Sequence, residues 1–138
     1  MSLIDKTVVS IRFYGKDLDP KRIGELLGFT ESESFETIIK RLKNGRVVWT
    51  IRLENDEPLE KKIETLLAHF TDDIKQWNLA AEIAKANIFC GLFLDGWNQG
   101  FDLIPKIMKE LSERNLEIGF DIYAPIESWE KFIEKEEE

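Results

Sequence analysis

The chain is poor in the residues that usually carry chemistry. Of its 138 residues one is cysteine, one is histidine and four are proline. The lone Cys90 excludes an internal disulfide and a cysteine-based metal cage. The lone His69 leaves no transition-metal ligand set, and no nucleophile-elbow sequence surrounds any serine. No glycine-rich phosphate fingerprint is present. Long apolar runs are missing too: the strongest, Ile88 to Leu94, is far too short to cross a bilayer. Met1 to Lys6 has no apolar stretch behind a basic start, so no secretory signal is expected and the chain reads as cytoplasmic. Basic charge is scarce as well. Nineteen Lys and Arg face 27 Asp and Glu, a net charge of −8, which argues against nucleic acid as a partner because phosphate binding needs a concentrated basic footprint.

What is present is a core. A hydrophobic content of 43% in a chain of this length suffices for one globular domain spanning residues 1–138. "TVVSIRFY", Thr7 to Tyr14, alternates with period two and reads as a strand: Val9, Ile11 and Phe13 point one way, Ser10, Arg12 and Tyr14 the other. A short helix follows, with Asp19 as N-cap, Pro20 in the first turn, Ile23, Leu26 and Leu27 on its buried face and Gly28 past its end. "FETIIKRLKNGRVVWTIRLE" is a hairpin, with Asn44-Gly45 expected as a two-residue type I′ turn. That turn predicts Leu42 opposite Val47, Lys40 opposite Trp49 and Ile38 opposite Ile51 on the core face, leaving Arg41, Thr50 and Arg52 on the other.

Leu59, Ile63, Leu66, Leu67, Phe70, Ile74 and Trp77 form an apolar stripe at helical spacing, while Thr71-Asp72-Asp73 equally suits the start of a second helix. Ile88 to Leu94, apolar on both sides, reads as a central strand. "FLDGWNQGFDL", Phe93 to Leu103, leads into a helix with Asp102 as N-cap, Pro105 in its first turn and Leu103, Ile104, Ile107, Met108 and Leu111 buried. "LEIGFDIY" is a last strand, with Leu116, Ile118, Phe120 and Ile122 inward and Glu117, Asp121 and Tyr123 outward. Residues 126–138 form an amphipathic terminal helix, through Ile126, Trp129, Phe132 and Ile133, with an acidic tail. The fold expected is α+β: a mixed sheet in the ferredoxin-like β-α-β-β-α-β order, with an appended helix and strand and helices mainly on one face.

The Asp19-Pro20 helix start with Ile23 and Gly28, the strand carrying Trp49, the apolar strand before a glycine-containing loop and the Asp121-Ile122-Tyr123 ending together resemble a small bacterial family labelled as a domain of unknown function (domain of unknown function 4279). The resemblance runs from about Val8 to Tyr123. It implies the fold and a bacterial origin, and supplies no catalytic residues.

Candidate sites are few. In the Phe93–Leu103 loop, Gly96 and Gly100 permit positive φ and Trp97 and Asn98 are a candidate rim, although a turn accounts for the same residues. Asp17 with Asp19, Glu54 with Asp56 and Glu57, and Asp72 with Asp73 lack calcium-loop spacing and sit near helix starts, where acids satisfy amides. No metal or cofactor is expected. Cys90 lies in the most apolar strand as a small hydrophobe, and no catalytic residue is selected. The outward sheet face is the exception: Arg12, Tyr14, Arg41, Arg52, Asp121 and Tyr123, with Ser10, Thr50, Phe89 and Phe93, gather arginines and aromatics as interface hot spots do. An Arg12–Asp121 cross-strand pair or cover by the terminal helix would explain the same face without a binding role. The reading carried forward is a non-enzymatic protein-interaction domain using this face, by self-association or with a protein partner. One form is an immunity-type protein meeting a basic partner. The alternative is a domain or weak enzyme binding a small anionic ligand between the face and the Asp95–Asp102 loop.

Overall fold

The computed structural model describes residues 2–4, 6–96 and 98–124; Trp97 and the expected terminal helix of residues 126–138 lie outside them. In chain order the elements are β1 (Ser2–Leu3), β2 (Lys6–Lys16), α1 (Pro20–Leu26), β3 (Phe35–Arg41), β4 (Arg46–Leu53), α2 (Leu59–Ala68), α3 (Ile74–Ile83), β5 (Lys85–Phe93), β6 (Gln99–Gly100), α4 (Pro105–Glu113) and β7 (Glu117–Tyr123). This is a mixed α+β fold. Its five-stranded sheet has the order β3-β4-β2-β5-β7, with every neighbouring pair antiparallel except β5 and β7, which are parallel. Among the described residues, no helix is long and apolar enough to cross a membrane.

Period-two alternation decides which face is buried. Val9, Ile11 and Phe13 of β2, Trp49, Ile51 and Leu53 of β4, and Ile88, Cys90 and Leu92 of β5 all turn to one side. There they meet Ile23 and Leu27 beside α1, Ile63 and Leu66 of α2, Trp77 of α3, and Ile107 and Leu111 of α4. At one end of this core Phe13 lies 5.4 Å from Trp49 and 5.9 Å from Phe70, ring centroid to centroid, and Phe29 lies 5.0 Å from Phe70. Offset and tilted ring pairs at these distances add to the stabilisation from area burial alone.

Helix starts follow local chemistry. Asp19 caps α1 by accepting from the Lys21 amide at 3.1 Å, with Pro20 at the first helical position. The apolar stripe after Pro58 is divided between two helices, because Asp73 caps α3 by accepting from the Lys75 amide. The α4 expectation needs correction. That helix begins at Pro105 behind Ile104, so Asp102 is not its cap, and Ile104 and Met108 are exposed while Ile107 and Leu111 are buried.

The hairpin also differs from expectation. Lys43, Asn44 and Gly45 make a three-residue loop closed by the Leu42 amide donating to the Arg46 carbonyl at 2.7 Å. Asn44 and Gly45 both take positive φ, at 70° and 76°, so the turn chemistry is as read and the loop one residue longer. The extra residue shifts the register by one. Arg41 now faces Val47, Ile39 faces Trp49 and Thr37 faces Ile51, while Glu36, Ile38 and Lys40 move to the opposite face.

Candidate functional site

The sheet face opposite the helices is crossed by rows of side chains set by the ladder. One row runs Glu36, Arg52, Ser10, Phe89, Gly119; the next runs Ile38, Thr50, Arg12, Asn87, Glu117. Tyr14 sits beside Val48, and Asp121 sits beside Gly91. Arg12, Tyr14, Arg52, Asp121 and Tyr123 therefore share one face, as their alternation indicated. Arg41 does not: the register shift turns it to the helix side, beside Asp17, Leu18 and Val47. Lys40 takes its place.

A concavity of about 420 Å³ lies across this face. Among the described residues, Arg12, Lys40 and Arg52 line it, with no carboxylate, beside Ser10, Phe89, Gly91 and Tyr123. A Cβ on Gly91 would lie within 4 Å of the Phe93, Val8 and Tyr123 side chains, and one on Gly119 within 4 Å of Phe89.

The cations are held differently. The Arg12 guanidinium lies 3.8 Å from the centroid of the Phe89 ring, a cation–π contact, and no ion pair of Arg12 with Asp121 forms among the described residues. Arg52 makes two long contacts, 3.9 Å each, to Glu36 and Glu54, with both acids at least half exposed; pairs of this kind stabilise little. Arg52 Nε and Asn87 Oδ1 are both buried without a hydrogen-bond partner among the described residues. Unsatisfied buried polar atoms are uncommon and call for an explanation. Asn87 was not singled out in the sequence. Its signal is a polar residue in an apolar strand, directly opposite Arg12.

At the rim Tyr123 stacks on Phe93 at 4.7 Å and donates from its hydroxyl to Asp121 Oδ2 at 2.5 Å. That hydrogen bond, with some desolvation and the Asp121 charge, raises the phenol's pKa, so it remains a neutral donor at physiological pH.

The other candidates have local structural partners, except Trp97 of the loop rim, which lies outside the described residues. The Asp95 amide donates to Gln99 Oε1, and Gln99–Gly100 pairs in parallel with Ser2–Leu3, tying the loop to the N-terminal segment. Neither Gly96 nor Gly100 takes positive φ, and Asn98 is exposed and lines no part of the concavity. His69 Nδ1 lies 2.8 Å from the Thr30 carbonyl oxygen and 3.0 Å from Thr30 Oγ1, which ties the end of α2 to the loop after α1. Burial pushes the Cys90 thiol up to about 12, leaving it un-ionised and unreactive. No group of three or more metal-ligating side chains occurs among the described residues.

Sequence reasoning also missed Lys62. It is buried within the α2 face, donating to the Thr7 carbonyl and, at 3.0 Å, to Thr7 Oγ1. Burial lowers its pKa, and the Asp56 and Glu57 charges oppose the shift.

These observations define an α+β protein with one mixed sheet, helices on one side and a cation-lined concavity on the other. Within that class the chain belongs to the family described as Domain of unknown function (DUF4279), which it matches over residues 5–125, as its Asp19-Pro20 helix start and Asp121-Ile122-Tyr123 ending indicated. No curated protein and no solved structure matches the chain.

Proposed function

We propose that the protein is a non-enzymatic interaction domain whose open sheet face receives an acidic surface of a protein partner. One observation carries the reading. The Arg12 guanidinium is stacked on Phe89 with no carboxylate partner among the described residues, in a concavity lined by three cations and no acid. Arginine held on an aromatic ring retains its hydrogen-bonding edges, and such residues dominate interface energetics. The net charge of −8 favoured a basic partner of the immunity type. The local charge at the face favours carboxylates, and local charge governs docking once the surfaces meet. We also read β2 to β5 as a ferredoxin-like motif extended by α4 and β7, supported by the order β3-β4-β2-β5 with antiparallel neighbours.

A second reading draws on a separate observation. Buried, unpartnered Arg52 Nε and Asn87 Oδ1 suit a small anion that also carries a donor group. The bottom of the sheet face would then hold a ligand, in place of the loop rim expected from the sequence.

The test compares proteins captured from extracts of the source cells by the wild type, by the Arg12→Glu/Arg52→Glu variant and by a Lys61→Glu/Lys109→Glu control altered on exposed helix positions. Loss of a partner with the face variant alone supports the reading. Equal capture by all three overturns it. Native mass spectrometry of the purified protein addresses the second reading, since a retained anion appears as added mass that Arg52→Glu removes.

A further inference from the structure

Strand β3 is one edge of the sheet, and its outer side is unpaired among the described residues. The ladder shows which groups point outward. The Leu42 amide donates to the Arg46 carbonyl and the Glu54 amide to the Ser34 carbonyl, so the even-numbered residues between them exchange hydrogen bonds with β4. Thr37, Ile39 and Arg41 therefore turn their backbone N–H and C=O groups outward. Their strand contains no proline, and Ile39 is 50% exposed. An edge of this kind is a template for another strand.

Charge along the edge is sharply divided. Glu31, Glu33 and Glu36 occupy the N-terminal end of β3 and the loop before it. Lys40, Arg41, Lys43 and Arg46 occupy the C-terminal end and the hairpin, a basic cluster on a chain of net charge −8. Antiparallel pairing of two identical edges sets each acidic end against a basic end, whereas parallel pairing would oppose like charges.

We propose that the protein dimerises by antiparallel pairing of β3 with β3 of a second copy, about a two-fold axis at Ile38. In this register Thr37 and Ile39 exchange backbone hydrogen bonds with Ile39 and Thr37 of the second copy. Glu36 faces Lys40 of the second copy and Lys40 faces its Glu36, on either side of an Ile38–Ile38 contact. Shifting the axis by one residue in either direction sets Glu36 against Leu42 or Ile38 and loses both charge pairs. The interface closes on itself, as a two-fold contact must. It joins the two sheets into one and leaves Arg12 and Phe89 away from the seam, while Lys40 and, through Glu36, Arg52 border both the seam and the sheet-face concavity. The opposite edge, β7, offers Glu117 and Asp121 with no cation, so self-pairing there would oppose like charges.

Chromatography with light scattering on the full chain tests this across a range of concentrations. The wild type is expected to be a dimer at high concentration. Lys40→Glu, which opposes Glu36 with a like charge at both symmetric contacts, should weaken the dimer about tenfold. Glu36→Lys/Lys40→Glu should restore it. Ile39→Pro removes an outward N–H and no bond to β4, so it should give a folded monomer, with folding checked by circular dichroism. Arg12→Glu, two strands away from β3, should leave the dimer intact, which separates this proposal from the sheet-face reading. A wild type that stays monomeric, an assembly that grows beyond two chains, or a dimer indifferent to Ile39→Pro would each overturn the pairing.

Discussion

On the helix side of β2, Val9, Ile11 and Phe13 are sealed from solvent within the apolar core; on the other side of the same strand, Ser10 and Arg12 line a concavity. Backbone, twist and hydrogen bonding are common to both faces, so the difference lies in the side chains alone. The helix side is close-packed around an aromatic cluster. The open side leaves Arg52 Nε and Asn87 Oδ1 without a partner among the described residues and seats Arg12 directly on the Phe89 ring at 3.8 Å; the helix side has one such atom, Arg114 Nε, with Arg114 at 5.9 Å from the Trp77 ring. The helix side supplies most of the apolar burial, and the opposite face is the one to which we assign recognition.

Neighbouring residues on opposite faces make the contrast measurable. The largest effect is expected for Phe13→Ala, which empties the centre of the Phe13–Trp49–Phe70 cluster. It should lower unfolding free energy by about 3–5 kcal/mol, and denaturant titration would show the midpoint falling sharply. A loss as small as that of an exposed residue would mean that the helix side is loosely packed.

Lys62 gives a smaller and pH-dependent effect. Its folded pKa lies below the ordinary lysine value of 10.5, because burial disfavours the ammonium more than Asp56 and Glu57 favour it. The unfolded chain therefore binds this proton more tightly. Below the folded pKa the lysine is charged in both states, and the cost of burying the charge is fully present. As pH rises from the folded pKa towards 10.5 that cost is relieved, so this residue makes stability increase with pH in that window. Lys62→Met removes the dependence. Stability curves measured from neutral to alkaline pH should converge or cross for wild type and variant; parallel curves would show that the ammonium is solvated.

Much of the fold was legible because its strongest signals are local. Period-two alternation in β2 and β4 gave the correct buried faces, and Asp19-Pro20 marked the start of α1 through capping chemistry. The β3 register was not legible, for a physical reason. Phe35, Thr37, Ile39 and Arg41 carry two large apolar residues, and so do Glu36, Ile38, Lys40 and Leu42, so hydrophobic pattern does not choose between the faces of this edge strand. Asn44-Gly45 tolerates positive φ in a two-residue or a three-residue loop, and the loop length decided the matter. Arg41 was misplaced for that reason alone, while Arg12, Tyr14 and Arg52 were placed correctly on β2 and β4. Lys62 was hidden by its charge: it shares a helix face with Leu59, Ile63 and Leu66, but a lysine at such a position normally marks the solvent side.

The smallest effect on stability is expected for Arg12→Ala, one residue from Phe13. Removing a cation from the Phe89 ring at a partly exposed site should cost about 0.5–1 kcal/mol. Some further loss follows because the arginine stem covers apolar surface and Ser10, beside it on the strand, is buried although it lies on the open face. The informative quantity is the ratio between this loss and the loss for Phe13→Ala. If Arg12 is present for recognition, Arg12→Ala should leave folding nearly intact while reducing capture of a partner as strongly as Arg12→Glu/Arg52→Glu does. If the two alanine variants destabilise the fold equally, the open face contributes to stability as the helix side does, and the distinction between the two faces fails.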